Sequence, residues 1–129
     1  MTPFEAAGLW IGLNSLYLIY VSARVGMVRT RLKINLGDGG NDEMIRAIRT
    51  QGNYVEYAPM ALVGLLALAA LGSSTTLIHG LGAAFLGARI AYLLGLGLGV
   101  WPAGRFVGTL GTMLSLLATA AALLWAAFV

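Results

Sequence analysis

The chain has 129 residues, 59% of them hydrophobic and only 10% charged, with a mean hydropathy of +0.84. Soluble domains carry about 25% charged residues, so this composition excludes an ordinary water-soluble domain and fits a single integral membrane domain with room for four spans of about 20 residues. Cysteine is absent, histidine occurs once and the net charge is +3, which excludes disulfides, cysteine-ligated metal, a histidine-rich metal site and a protein thiol nucleophile; the few cations sit at membrane edges, so no nucleic-acid interface is expected.

Taken in chain order, the first apolar run is Phe4 to Ala23, broken only by Glu5 at its edge. No basic residue precedes it and no small-residue cleavage pattern follows, so it reads as a retained span and not as a signal peptide. A polar connection is expected from Arg24 to about Asn41, turning at Gly37-Asp38-Gly39-Gly40. The second helix starts after Asn41 or Asp42, either of which suits an N-cap, and runs to about Leu71. Ser73-Ser74-Thr75-Thr76 makes a short turn. The third helix covers Leu77 to Gly99, Trp101-Pro102 marks a boundary, and the fourth runs from Gly104 to Phe128 with no charge after Arg105.

Charge asymmetry orients the four spans. Six of the eight cations, Arg24, Arg29, Arg31, Lys33, Arg46 and Arg49, lie in or beside the first connection, and Arg105 lies beside the third. By the positive-inside rule both connections face the cytoplasm and both termini face the other side. Small residues at helical spacing, Gly8 with Gly12 and Gly104 with Gly108 followed by Gly111, predict close helix approach and an oligomeric bundle. Gly95-Leu-Gly97-Leu-Gly99 has no strand before it, so it reads as close packing or a loosened helix end and not as a nucleotide loop.

The informative feature is a polar stripe entering the second helix. At about 100° per residue, Arg46, Arg49, Asn53, Glu56 and Tyr57 share a sector of about 100°, while Gln51 points away. Glu56 is a carboxylate at membrane depth, and such a charge costs about 2.5–3.5 kcal/mol on insertion scales, so it must face protein or a watery cleft. Arg89, on the antiparallel third helix at matching depth, is the expected ion-pair partner of Glu56, and Tyr92 borders the same cleft. Arg24 ends the first helix and Arg105 begins the fourth at the same end. Glu56–Arg89 also reads as a purely structural register clamp, and Arg24 and Arg46 as anchors to lipid phosphates. Neither explains the added hydrogen-bonding capacity of Arg49, Gln51 and Asn53, which suits a small polyanionic ligand. His79 is expected to be interfacial, Trp10, Trp101 and Trp125 to be interface or packing residues, and the five Met residues to fill the core.

Arg49-x-Gln51-x-Asn53-x-x-Glu56-Tyr57-x-Pro59, Ala88-Arg89-x-x-Tyr92 and Arg105 together resemble the membrane-associated proteins in eicosanoid and glutathione metabolism (MAPEG). The likeness covers essentially the whole chain in length, span number and charge placement, and the Gly-Asp-Gly-Gly turn is most similar to a bacterial, largely uncharacterised branch. It implies an all-α four-helix subunit, a homotrimer, and glutathione bound between subunits at the cytoplasmic face of a bacterial inner membrane. By the same resemblance Arg24, Arg49, Asn53, Glu56, Tyr57, Arg89 and Tyr92 bind or support glutathione, Gln51 reaches it from the adjacent subunit, and Arg105 sits near the sulfur as the catalytic residue. Leu96 stands where several family enzymes carry a tyrosine, Val25 where some carry a second arginine, and Phe106 where some carry a polar residue.

The implied function is a glutathione-dependent transferase or peroxidase acting on a small hydrophobic electrophile from the membrane lipid. One alternative is a non-catalytic membrane module of the same fold that binds an anionic thiol or lipid. Another is a small proton-coupled exporter, against which stands the crowding of arginines around the one membrane acid.

Overall fold

The computed structural model describes all 129 residues as helices and connections, without strands. Helix α1 spans Pro3–Leu32, α2 Asp42–Ala70, α3 Thr75–Tyr92 with a π-helical turn over Leu93–Gly97 continuing it, and α4 Gly104–Phe128. All four are long and apolar enough to cross a membrane.

Three of the four helix starts have a side-chain cap, and α4, behind Ala103, has none. Thr2 and Glu5 form a reciprocal capping box ahead of Pro3, with the Glu5 N–H donating to Thr2 Oγ1 at 3.1 Å and the Thr2 N–H to Glu5 Oε2 at 2.7 Å. Asn41 caps α2 by accepting from the Met44 N–H at 3.0 Å, and Ser74 caps α3 by accepting from the Leu77 N–H at 3.2 Å. Pro59 lies inside α2. It has no N–H to give the Val55 carbonyl, and neighbouring helices make such a position tolerable in a membrane.

The expected end of α1 at Ala23 is corrected by nine residues, since the helix continues to Leu32. Leaving the apolar layer does not end a helix when one face still has something to bury. Val28 packs against Met44 and Ala47, with Val25, Leu32 and Ile48 around them. Lys33, in the left-handed conformation at φ 56°, then stops it. At 1.5 Å per residue α1 is about 45 Å long, beyond the ~30 Å hydrocarbon layer, so its basic end stands in the headgroup region.

Helices α2 and α3 form the centre, with α1 and α4 packed on them and not on each other. Toward the termini the core is Ala6, Ala7, Leu65, Leu68, Ala69, Ile78 and Leu81; at mid-depth it is aromatic, with Tyr17, Tyr54 and Phe85. Helix α4 buries a single stripe of small residues, Gly104, Gly108, Thr112, Ser115 and Thr119. A Cβ on Gly108 would stand 2.6 Å from the Ala88 carbonyl oxygen, so this glycine sets the α3–α4 approach, as its spacing predicted. Gly8 and Gly12, by contrast, have nothing within 4 Å and pack nothing within the subunit. Core filling by methionine is corrected too: Met44 is buried, whereas Met1, Met27, Met60 and Met113 are exposed. Only 31 of 129 residues are buried, so most of the apolar side chains face outward, as a lipid-solvated bundle requires.

Candidate functional site

The largest fully buried side chain is Arg89, with no exposed surface. Its Nη2 donates to Asn53 Oδ1 at 2.6 Å and its Nη1 to Thr112 Oγ1 at 3.2 Å. The Thr112 hydroxyl sends its own proton to the Gly108 carbonyl at 2.7 Å, which leaves a lone pair for the guanidinium. The Arg89 carbon Cζ lies 4.7 Å from the Tyr92 ring centroid and 6.0 Å from that of Tyr57. Those ring faces stabilise a desolvated cation. The Tyr17 hydroxyl donates to the Arg89 carbonyl at 3.0 Å, and Arg89 Nε alone has no partner. The knot therefore ties all four helices at one level without a carboxylate.

The expected Glu56–Arg89 ion pair does not form. Glu56 Oε1 instead accepts from Nη1 of Arg49, seven residues back on the same helix, at 3.2 Å. The two side chains are 49% and 50% exposed, so this pair lies on the outer face of the subunit. Met60 and Val63 continue that face as exposed apolar surface. The physical reason is azimuth: Arg49 and Glu56 differ by about 20° around α2, whereas Asn53 lies about 60° from Glu56 and toward α3.

At the basic end, three helices meet on the π turn. Arg24 Nη2 donates to the Gly97 carbonyl at 3.1 Å, capping the end of the third span. A Cβ on Gly97 would approach Thr50 Oγ1 to 3.0 Å, and one on Gly95 would collide with the Arg105 backbone nitrogen. The glycine run thus is both the close contact and the loosened helix end that it suggested. π turns of this kind occur often at functional sites. Arg105, in the first turn of α4, is exposed. Gln51 is half-buried and stands apart from the stripe, about 160° around α2 from Arg49.

Asn53, Tyr57, Arg89 and Tyr92 are thus brought together, Arg49 and Glu56 are paired beside them, and Arg24 and Arg105 flank the π turn. Two polar groups were missed from sequence. Thr112 belongs to the small-residue stripe and reads there as packing. Asn14, fully buried, accepts from the Tyr54 hydroxyl at 3.0 Å and donates to the Trp10 carbonyl at 2.8 Å. An amide inside an apolar span was its signal, of the same kind as Glu56. Trp10 also donates from Nε1 to His79 Nδ1 at 3.0 Å, in keeping with packing and interfacial roles.

Two concavities open on the single subunit. One of about 440 Å³ lies under the end of α1, and one of about 200 Å³ lies between α1 and α2, lined by Asn14, Tyr54, Val55 and Pro59 among others. Neither includes Arg49, Asn53 or Glu56.

Four antiparallel membrane helices, with a buried arginine knot and an outward-facing ion pair on the second, define a small multi-pass membrane protein with its polar residues gathered toward one end. The chain belongs to the MAPEG family, whose model matches residues 7–125. It is 35% identical over 89 residues to the inner membrane protein YecN of Escherichia coli K12, covering 69% of this chain and 68% of the relative. The YecN of Escherichia coli O6:H1 strain CFT073 matches to the same extent. No solved structure matches the chain. Family and relative together make it a multi-pass protein of the bacterial inner membrane.

Proposed function

We propose that the chain is the subunit of a homotrimeric, glutathione-dependent transferase or peroxidase whose ligand lies over the Arg49–Glu56 face, covered by a neighbouring subunit. The observation that carries this reading is the half-exposed pair itself. Lipid satisfies neither charge, so a second protein surface or a polar ligand must meet them. Glutathione offers carboxylates to Arg49 and an ammonium to Glu56. Arg89 acts behind this face by holding Asn53, and Arg24 by holding the π turn.

The chemistry needs an imported thiol, because the chain has none. A thiol of pKa about 8.5 is mostly protonated at neutral pH, and a neighbouring guanidinium favours its thiolate. Lowering that pKa by two units takes about 2.7 kcal/mol, within reach of one arginine and one hydrogen bond in a site shielded from water. Arg105, exposed on the subunit surface, is assigned this task. The thiolate then attacks the electrophilic atom of a lipophilic substrate. The new bond to sulfur forms as the leaving group departs with its electron pair, and the thiol proton passes to water.

A second reading, binding of an anionic thiol without turnover, is favoured by Phe106, which places an exposed phenyl ring directly after Arg105. The decisive measurement is calorimetric titration of purified protein with glutathione, followed by thiolate absorbance of the complex near neutral pH. Binding with thiolate formation supports the catalytic reading, binding without it supports the second, and no binding overturns both.

A further inference from the structure

Independently of glutathione, we infer that the concavity under the α1 C-terminus holds the phosphate of an anionic membrane lipid. This cavity of about 440 Å³ is lined by Arg29, Thr30, Lys33, Ile34 and Asn35, with Gly26 at its rim. Two cations, a hydroxyl and an amide line it, and no acid does. Arg29 is fixed in place, its Nη1 donating to the carbonyls of Gly37 at 2.6 Å and Ile34 at 3.3 Å. That arrangement leaves Nη2 and Nε free for an oxyanion, and a planar guanidinium held in advance loses little freedom on binding one. Lys33 is exposed, and neither it nor Arg29 has an acidic partner within 4.0 Å.

The acids nearby make other contacts. Asp38, in the same connection, accepts from the Gly40 N–H at 2.8 Å, and Glu43 is paired with Arg31. The cavity thus keeps two cations that have no acidic partner within 4.0 Å.

Depth selects the source of the phosphate. Arg29 and Lys33 follow Arg24 by about one and a half to two and a half turns, in the part of α1 that overshoots the hydrocarbon layer, so they lie at headgroup level. Anionic lipids concentrate on the cytoplasmic leaflet, the side to which the charge pattern assigns this end. Soluble phosphate shares the chemistry but not the location.

The test compares the protein in vesicles of phosphatidylcholine alone with vesicles containing phosphatidylglycerol, reading thermal stability and the lipids retained in native mass spectrometry. Phosphatidylglycerol is expected to raise the melting temperature and to be retained selectively. Lys33→Asn removes the charge while suiting the left-handed backbone, and is expected to weaken that lipid's binding about fivefold. Arg31→Asn removes an equal charge outside the cavity and is expected to change it less. Equal stabilisation by both vesicles, or equal losses in the two variants, would mean diffuse surface attraction and overturn the site. Saturation of the effect by inorganic phosphate alone would reassign it to a soluble anion and overturn the lipid.

Discussion

Arg89 meets Asn53, not Glu56: its Nη2 lies 2.6 Å from the Asn53 amide oxygen. Asn53 sits three residues, or about 4.5 Å of helix rise, nearer the basic end than Glu56. That single turn of register separates two roles on α2. The inward turn gives the buried cation a neutral partner and locks α2 against α3 and α4. The outward positions leave Glu56 to Arg49 and keep both at the subunit surface. On the function proposed above, stability and ligand recognition rest on different residues of one stripe and are separable by mutation.

Asn53→Leu tests the inward role. Loss of a hydrogen bond to a charged group costs about 1.5–3 kcal/mol, and here Arg89 already has one unpartnered nitrogen. The expected result is a clear fall in the denaturation midpoint in detergent. Asn53→Asp, which keeps an acceptor and adds a counter-charge, is expected to retain most of the stability. A midpoint unchanged in Asn53→Leu would show that Thr112 and the tyrosine rings suffice for Arg89.

Arg49→Ala and Glu56→Gln test the outward role. Neither side chain bonds to the buried Arg89 knot, so each variant is expected to lose less stability than Asn53→Leu. Each is nonetheless expected to weaken glutathione binding at least tenfold, since loss of one charge-assisted contact costs about 1.5–3 kcal/mol. Titration calorimetry and a melting curve on the same sample check both halves. Undiminished binding in the two variants would remove the ligand from this face.

What the sequence made legible follows from period and cost. Four apolar runs, the Asn41 cap and an unusual acid are all local signals, and they place the four helices and the stripe, though not the end of α1. The partner of Arg89 was not local. Two antiparallel helices with matching depths admit Asn53 or Glu56 as its neighbour, and the choice depends on azimuth and on the α4 approach set by Gly108, where a Cβ would stand 2.6 Å from the Ala88 carbonyl. The overshoot of α1 was hidden because its last turns carry Arg24, Arg29 and Arg31, while the apolar residues that continue the helix are the few that meet Met44 and Ala47. Charge density there reads as a connection although the buried face persists.

Gly108→Val is expected to destabilise more than any conservative change on the lipid-facing surface. The added carbons meet the Ala88 carbonyl and the Tyr92 backbone nitrogen, each 2.6 Å from an ideal Cβ, and backbone does not yield as a side chain does. Overpacking of this kind costs about 1–3 kcal/mol, and displacement of α4 would also move Thr112 away from Arg89. Gly12→Ala is the matched control, with nothing within 4 Å and about 0.8–1.0 kcal/mol of helix propensity to gain. Melting curves of the two variants check the contrast. A loss of stability in Gly12→Ala that follows subunit concentration would locate a neighbouring copy on that face of α1.

Arg105→Ala separates binding from activation. Arg105 stands on the subunit surface in the first turn of α4, beside the π turn that Arg24 caps, so its removal leaves the buried knot untouched. Glutathione is expected to bind within a few-fold of wild type, because Arg49 and Glu56 remain to hold its charged ends. The bound thiol is expected to titrate higher by up to about two units, or about 2.7 kcal/mol, and by less where the hydrogen bond to sulfur persists. The sign follows from the charge: removing a cation near sulfur disfavours the anion, so thiolate absorbance at neutral pH falls and recovers only as the pH is raised toward that of the free thiol. Arg105→Lys keeps the charge and is expected to restore part of the signal. Thiolate absorbance equal in wild type and Arg105→Ala would assign activation of the sulfur to another residue.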